Sequence, residues 1–154
     1  MKSEHVNAFV VGSFRVLESL FGVAPIRGEL KALPEIFTTE QCNVTIGVAG
    51  QVEGTVIFGM SLVTADRIAS AMIGAPIKTF DRLAASAIAE LCNMISGNAL
   101  IALSDSGARC DLTPPTVIRG ANTRVSTLSI PAIVIPLELP VGKLNLTVSL
   151  AQRK

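Results

Sequence analysis

The chain has 154 residues, a length that predicts one domain with a core large enough to need no staples. It is 49% hydrophobic and only 16% charged, which argues for a packed globular chain and against disorder. Net charge is +1 with no basic run, so the phosphate-directed field of a nucleic-acid binder is missing, and no apolar run approaches the ~18 residues of a membrane span.

The first residues, Met1 to His5, lead into a short apolar stretch at 6–11 that is too brief and too acidic to read as a signal peptide. A cytoplasmic protein is expected. Ser3 can cap a first helix, with Glu4 in its first turn. Phe9, Val10, Phe14, Leu17, Leu20 and Phe21 form its apolar stripe, and Gly22 ends it. A strand over 23–33 follows, broken by Gly28 and closed by Pro34.

Cys42, Val44, Ile46 and Val48 alternate with polar or small residues, as do Val52, Val56, Phe58 and Met60 on a return arm. With a turn at Ala49-Gly50-Gln51 this is a hairpin. Ser61 or Thr64 caps a second helix that ends at Gly74, with Ile68, Ala69, Met72 and Ile73 facing inward.

The third helix is expected over 79–107. Ala84, Ala87, Ile88, Leu91, Ile95, Ala99 and Ala102 recur at helical spacing. On the opposite side Ser86, Glu90, Asn93 and Gly97 stand at i, i+4, i+7 and i+11, within roughly 60° of one another. Such a stripe can be an ordinary solvated helix face. Yet Asn is a mediocre helix former and Gly97 costs about 1 kcal/mol in a helix interior. Met94 and Leu100 flank the stripe, with Leu83 and Ile101 close by, which a purely solvated face does not need.

Past the helix, Thr113-Pro114-Pro115 cannot lie in a central ladder. Residues 117–120 follow, then a polar turn around Asn122. Leu128 and Ile130 alternate in one phase and Ile133, Ile135, Leu137 and Leu139 in the other, which places a bulge at Pro131. Pro131 and Pro136 favour an edge position for that strand. Leu144, Leu146, Val148 and Leu150 alternate in the last strand. Long strands with an exposed edge invite pairing with a second copy, so a homodimer sharing its sheet is expected. The order of elements is α+β, a mostly antiparallel sheet packed by a long N-terminal helix and two adjacent central helices.

Cys42, Cys92 and Cys110 are odd in number, widely spaced and without a CxxC, so neither a disulfide framework nor a zinc site is expected, only three buried thiols. His5 is the single histidine and lies near a terminus expected to fray, which removes Ser-His-Asp and Cys-His catalysis. GxGxxG and P-loop motifs are absent. What the central stripe offers is a carboxylate that can pair with a lysine, and a rigid carboxamide that can hold a water in line for attack in a partner's active site.

Ser86-x3-Glu90-x2-Asn93, then Gly97, then Pro114-Pro115-x-Val117-x-x-Gly120, resembles the CheC/CheX/FliY family, phosphatases of the phosphorylated response regulator CheY. Asn93 and Pro115 are separated by 21 residues, one short of the family spacing. The opening Glu4-His5-Val6-Asn7-Ala8-Phe9, the length and the element order also resemble CheX. The resemblance implies a CheX-like domain over 1–154. It implies that Glu90 anchors to a receiver-domain lysine, that Asn93 orients the attacking water beside the aspartyl phosphate, and that Ser86 supports them. Met94, Gly97 and Pro115 are expected at the contact with the partner. Mg²⁺ would belong to the receiver, leaving this chain without a cofactor of its own. CheC-type members carry two active helices; here Glu4-x2-Asn7 is the other candidate, and Asn7 is read as structural. One site per chain and a homodimer are the CheX-like expectation. The alternatives are a non-catalytic adaptor that binds a receiver domain or a flagellar-switch protein, and an unrelated oligomeric α+β protein with a small-molecule pocket.

Overall fold

The computed structural model describes residues 3–34, 37–38, 40–120, 124–126 and 131–153. In chain order these form α1 (Ser3–Phe21), β1 (Ile26–Arg27), β2 (Lys31–Leu33), β3 (Phe37–Thr38), β4 (Cys42–Gly50), β5 (Val52–Met60), α2 (Leu62–Ile73), α3 (Arg82–Asp105), β6 (Cys110–Leu112), β7 (Thr116–Arg119), β8 (Val125–Ser126), β9 (Ala132–Leu139) and β10 (Gly142–Gln152). An eight-stranded antiparallel sheet runs β1-β9-β10-β5-β4-β6, with β2 also on β9 and β7 also on β4. β3 and β8 pair separately. The architecture is the expected α+β.

Strict alternation dictates the core. Leu144, Leu146, Val148 and Leu150 of β10, Val56, Phe58 and Met60 of β5, Val44 and Ile46 of β4, and Ile135 and Leu137 of β9 are all buried on one face. The helices close that face. Its opposite side is less open than half-buried strands suggest: Ile57 and Ala132 are buried there beneath Leu33 and Val125.

The helix ends follow local chemistry. The Ser61 hydroxyl accepts from the Thr64 backbone N–H at 3.1 Å, and Gly74 closes α2 in the left-handed region at φ 81°. The Asp81 carboxylate caps α3, accepting from Ala84 N–H at 3.0 Å. α3 is therefore shorter than the expected 79–107 by a few residues at each end. Thr79 and Phe80 instead belong to the linker, where the Arg119 guanidinium lies 3.8 Å over the Phe80 ring and pairs with Asp66 at 3.1 Å.

All six residues of the expected α1 stripe pack on the core, Phe9 and Leu17 fully buried, but the centre of the buried face is shifted toward small residues. His5, Ala8, Phe9, Gly12, Ser13, Val16 and Leu17 are buried, while Val10, Phe14, Leu20 and Phe21 are half-buried. The cause is Gly12. A methyl there would stand 2.7 Å from the Ile95 carbonyl oxygen and 3.0 Å from the Ala99 nitrogen, so α1 and α3 touch backbone to backbone. That close crossing rotates the small residues inward. It also pins the first turn, and His5, expected to fray, is only 2% exposed. Asn7, expected to be structural, is exposed.

Three expectations about strands change. The strand over 23–33 is two short strands, β1 and β2. β9 is not an edge: β10 covers one side, and β1 and β2 the other. Pro136 is the reason for both. Lacking an N–H, it faces the gap between β1 and β2, where its carbonyl accepts from Gly28 N–H at 2.8 Å. The four long strands all have neighbours on both sides, so the sheet ends in strands of two to four residues rather than a long open edge. The polar turn at Asn122 and the alternation through Leu128 and Ile130 lie outside the described residues.

The Thr113-Pro114-Pro115 interruption falls as expected between β6 and β7, which pair with opposite ends of β4. Thr113 substitutes for the missing ladder: Gly47 N–H donates to its hydroxyl at 2.8 Å, and its own N–H donates to the Gly47 carbonyl at 2.9 Å.

Candidate active site

By length and hydropathy α3 resembles a membrane-crossing helix, with 24 residues and a mean hydropathy of 1.3 in its most apolar window. That hydropathy comes mainly from leucines and isoleucines spread along the helix between polar residues, so no long contiguous apolar run forms. Ala84, Ile88, Leu91, Cys92, Ile95, Ser96, Ala99 and Leu103 pack into the fold. The inner face thus uses Leu103, where the sequence pattern pointed to Ala102, now half-buried.

Ser86, Glu90 and Asn93 are exposed on the other side. Glu90 and Asn93 are separated by about 4.5 Å along the axis and by roughly 60° around it. Neither side chain makes a hydrogen bond or ion pair with another described residue. Gly97 is half-buried by its neighbours, yet nothing lies within 4 Å of where its Cβ would be. The fold itself therefore does not require a glycine at this position. Leu83, Met94 and Ile101 run alongside, 62%, 42% and 57% exposed. Polar and apolar rows thus lie side by side on the exposed face of one helix. Pro115 is not on this face; it is half-buried on the loop that leads into β7.

Beside the stripe is a groove of about 400 Å³ between the C-terminal half of α1 and α3. Val16, Leu20, Met72 and Leu91 line it, with Met94 as one wall and Arg15, Ser19 and Asn98 at its polar positions. Sequence reading missed this. Asn98 has a weak signal, four residues beyond Met94 and eight beyond Glu90. Arg15 has none, because only the α1–α3 crossing brings it here. A second cleft of about 670 Å³ lies at the other end of α1, lined in part by Glu4, Asn7, Arg27 and Leu30.

Cys92 adjoins Asn93 in sequence but points inward. Burial pushes its thiol well above the ordinary value of 9.0, so it stays neutral. Burial likewise raises Cys42, partly offset by Arg119. Cys110, expected to be buried, is half-buried, with its Sγ 3.4 Å from the Val52 carbonyl oxygen. No group of three or more His, Cys, Asp or Glu among the described residues is placed to hold a metal ion.

The fold is the α+β fold of CheC-like proteins, and known proteins share both it and the sequence. A family model described as chemotaxis phosphatase CheX matches residues 42–138. The CheY-P phosphatase CheX of Thermotoga maritima is 31% identical over 143 residues, covering 92% of this chain and 89% of that protein. The crystal structure of the chemotaxis protein CheX from Desulfovibrio desulfuricans superposes with a TM-score of 0.86 at 25% identity, covering 97% of this chain and 99% of the other. In the CheX–CheY–BeF3–Mg²⁺ complex from Borrelia burgdorferi the matched chain gives a TM-score of 0.80 at 28% identity, over 96% of this chain and 98% of that one. This chain belongs to the CheX family of chemotaxis phosphatases.

Proposed function

We propose that this chain hydrolyses the aspartyl phosphate of a CheY-like receiver domain, with Asn93 orienting the attacking water and Glu90 anchoring a receiver lysine. Family membership supports the reaction class. The observation that carries the residue roles is the unengaged pair, a carboxylate and a carboxamide one turn apart on the outer face of α3, above an open position at Gly97.

Aspartyl-phosphate hydrolysis needs a water oxygen in line with the phosphorus. The new P–O bond forms as the bond to the aspartyl carboxylate breaks, and the products are inorganic phosphate and a free carboxylate. Little covalent chemistry is left for the phosphatase, so positioning dominates. The Asn93 carbonyl can accept from that water while its amide nitrogen donates to a phosphoryl oxygen. Glu90 supplies a charge-assisted bond that fixes the helix over the receiver. Ser86, one turn earlier, adds a hydroxyl at the margin of the contact. Gly97 keeps the helix surface low, and Pro115 stiffens a neighbouring loop. The Borrelia burgdorferi complex contains Mg²⁺ together with CheY, and we assign the metal to the receiver, with this chain contributing no cofactor.

The proposal includes one CheX-like domain over 1–154, in the cytoplasm with its receiver. It also includes a homodimer, supported by Val23, Ile26 and Leu30, exposed around the edge strand β1.

Phosphate release from a phosphorylated receiver tests the mechanism. Asn93→Ala is expected to lower turnover at least about 100-fold with an unchanged melting temperature. Glu90→Ala is expected to weaken receiver binding without unfolding the chain. Full turnover by Asn93→Ala would sink the mechanism, and binding by the wild-type chain without any phosphate release would make it an adaptor.

A further inference from the structure

We infer that the groove between α1 and α3 is a second contact point for the receiver domain and decides which receiver is accepted: it takes an apolar receiver side chain beside a carboxylate that Arg15 pairs. The inference rests on the reading of α3 given above and adds to it a specificity surface on a different helix.

The groove is continuous with the stripe. Glu90, Met94 and Asn98 follow one another at four-residue intervals and form a single ridge along α3. Met94 belongs to both sides, since it adjoins Asn93 and forms a wall of the groove. Behind it the lining is apolar, from Val16, Leu20, Met72 and Leu91. Methionine is flexible and polarizable, and a pair of them at an open groove suits an incoming side chain whose shape is not fixed in advance.

Charge identifies the occupant. Arg15 is exposed at the groove and makes no ion pair with another described residue. Glu90, at the start of the same ridge, carries the opposite sign. A partner seated across the ridge and the groove therefore meets a site for a cation, an apolar recess and a site for an anion. The lysine proposed to meet Glu90 fits the first position, so the same receiver surface must bring its apolar residue and its carboxylate to the other two.

Geometry explains why a second point is needed. Glu90 and Asn93 lie on one short line, and a partner held only there can pivot about it. Arg15, on α1, is off that line and removes the freedom to pivot. Exposed charges at an interface rim act mainly on encounter and partner choice, and their effect is screened by salt.

The test uses the full chain and a CheY-type receiver from the same genome, phosphorylated for turnover and loaded with beryllofluoride and Mg²⁺ for binding. Arg15→Glu is expected to raise KM and Kd about tenfold at low salt, to leave kcat within twofold, and to approach the wild-type Kd at 0.5 M salt. Arg15→Lys should restore most of the affinity. Met94→Ala should raise Kd at both salt concentrations. If Arg15→Glu leaves KM and Kd within twofold of wild type at low salt, the groove is not a contact and the inference fails, while the Asn93 mechanism stands. If Asn93→Ala keeps turnover but Arg15→Glu loses binding, the mechanism fails and the groove stands. A wild-type chain that does not bind the receiver overturns the inference as well.

Discussion

In the proposed mechanism, Gly97 on α3 puts stability and function in opposition. A helix interior disfavours glycine by about 1 kcal/mol against alanine, and here nothing occupies the space a methyl would take. Gly97→Ala is therefore expected to raise the melting temperature by about 2–4 °C. In the proposed docking the same methyl would lie in the contact, one turn along the helix from Asn93, so receiver dephosphorylation should fall. Thermal melts and phosphate release on one preparation check both halves, and a variant that is more stable and fully active would remove Gly97 from the contact. Cys92 shows the reverse case. It is the residue before Asn93, yet a quarter-turn inward its thiol is buried and held neutral, so it is packing and not chemistry.

At the scale of elements, the α1–α3 crossing sets where the stripe points. Gly12 is the counterpart of Gly97: it too is a glycine within a helix, but this one has backbone atoms of the neighbouring helix against it. Gly12→Ala cannot be absorbed by moving a side chain, because the atoms in the way are a carbonyl oxygen and an amide nitrogen. The helices must separate, at a cost of about 1–3 kcal/mol. Chemical denaturation should show that loss, and the groove at Arg15 and Met94 should widen with it, weakening receiver binding as well. A Gly12→Ala chain as stable as wild type would contradict the close crossing. Strand β9 makes a related point. Pro136 is compatible with an interior strand only because the covering chain breaks into β1 and β2 opposite it.

For the whole molecule, the proposed pairing of two copies would have to use what the sheet leaves open. The long strands are all flanked, so a dimer built on the sheet must use a short edge strand such as β1, where Ile26 is 71% exposed. Ile26→Glu is expected to shift the chain from dimer to monomer in light scattering, with little change in the melting of the isolated subunit. A wild-type chain that is monomeric at high concentration, or an Ile26→Glu chain that still dimerises fully, would rule out this edge. The Arg119 clamp on Phe80 and Asp66 acts at the same scale, tying β7 and α2 to the linker from which α3 begins.

The sequence by itself determined what depends on period and local caps. The β4–β5 hairpin, the run of leucines in β10, the stops at Gly22 and Gly74, and the placement of Ser86, Glu90 and Asn93 on one helix face all follow from residues a few positions apart. Tertiary structure decided whatever depends on two distant segments meeting. The inward turn of α1 about Gly12, the burial of His5, the covering of β9 by two short strands and the arrival of Arg15 beside Met94 each need a neighbour that no local pattern names. A side chain's direction around its own helix is set by the backbone repeat, whereas what it faces is set by which other element packs there.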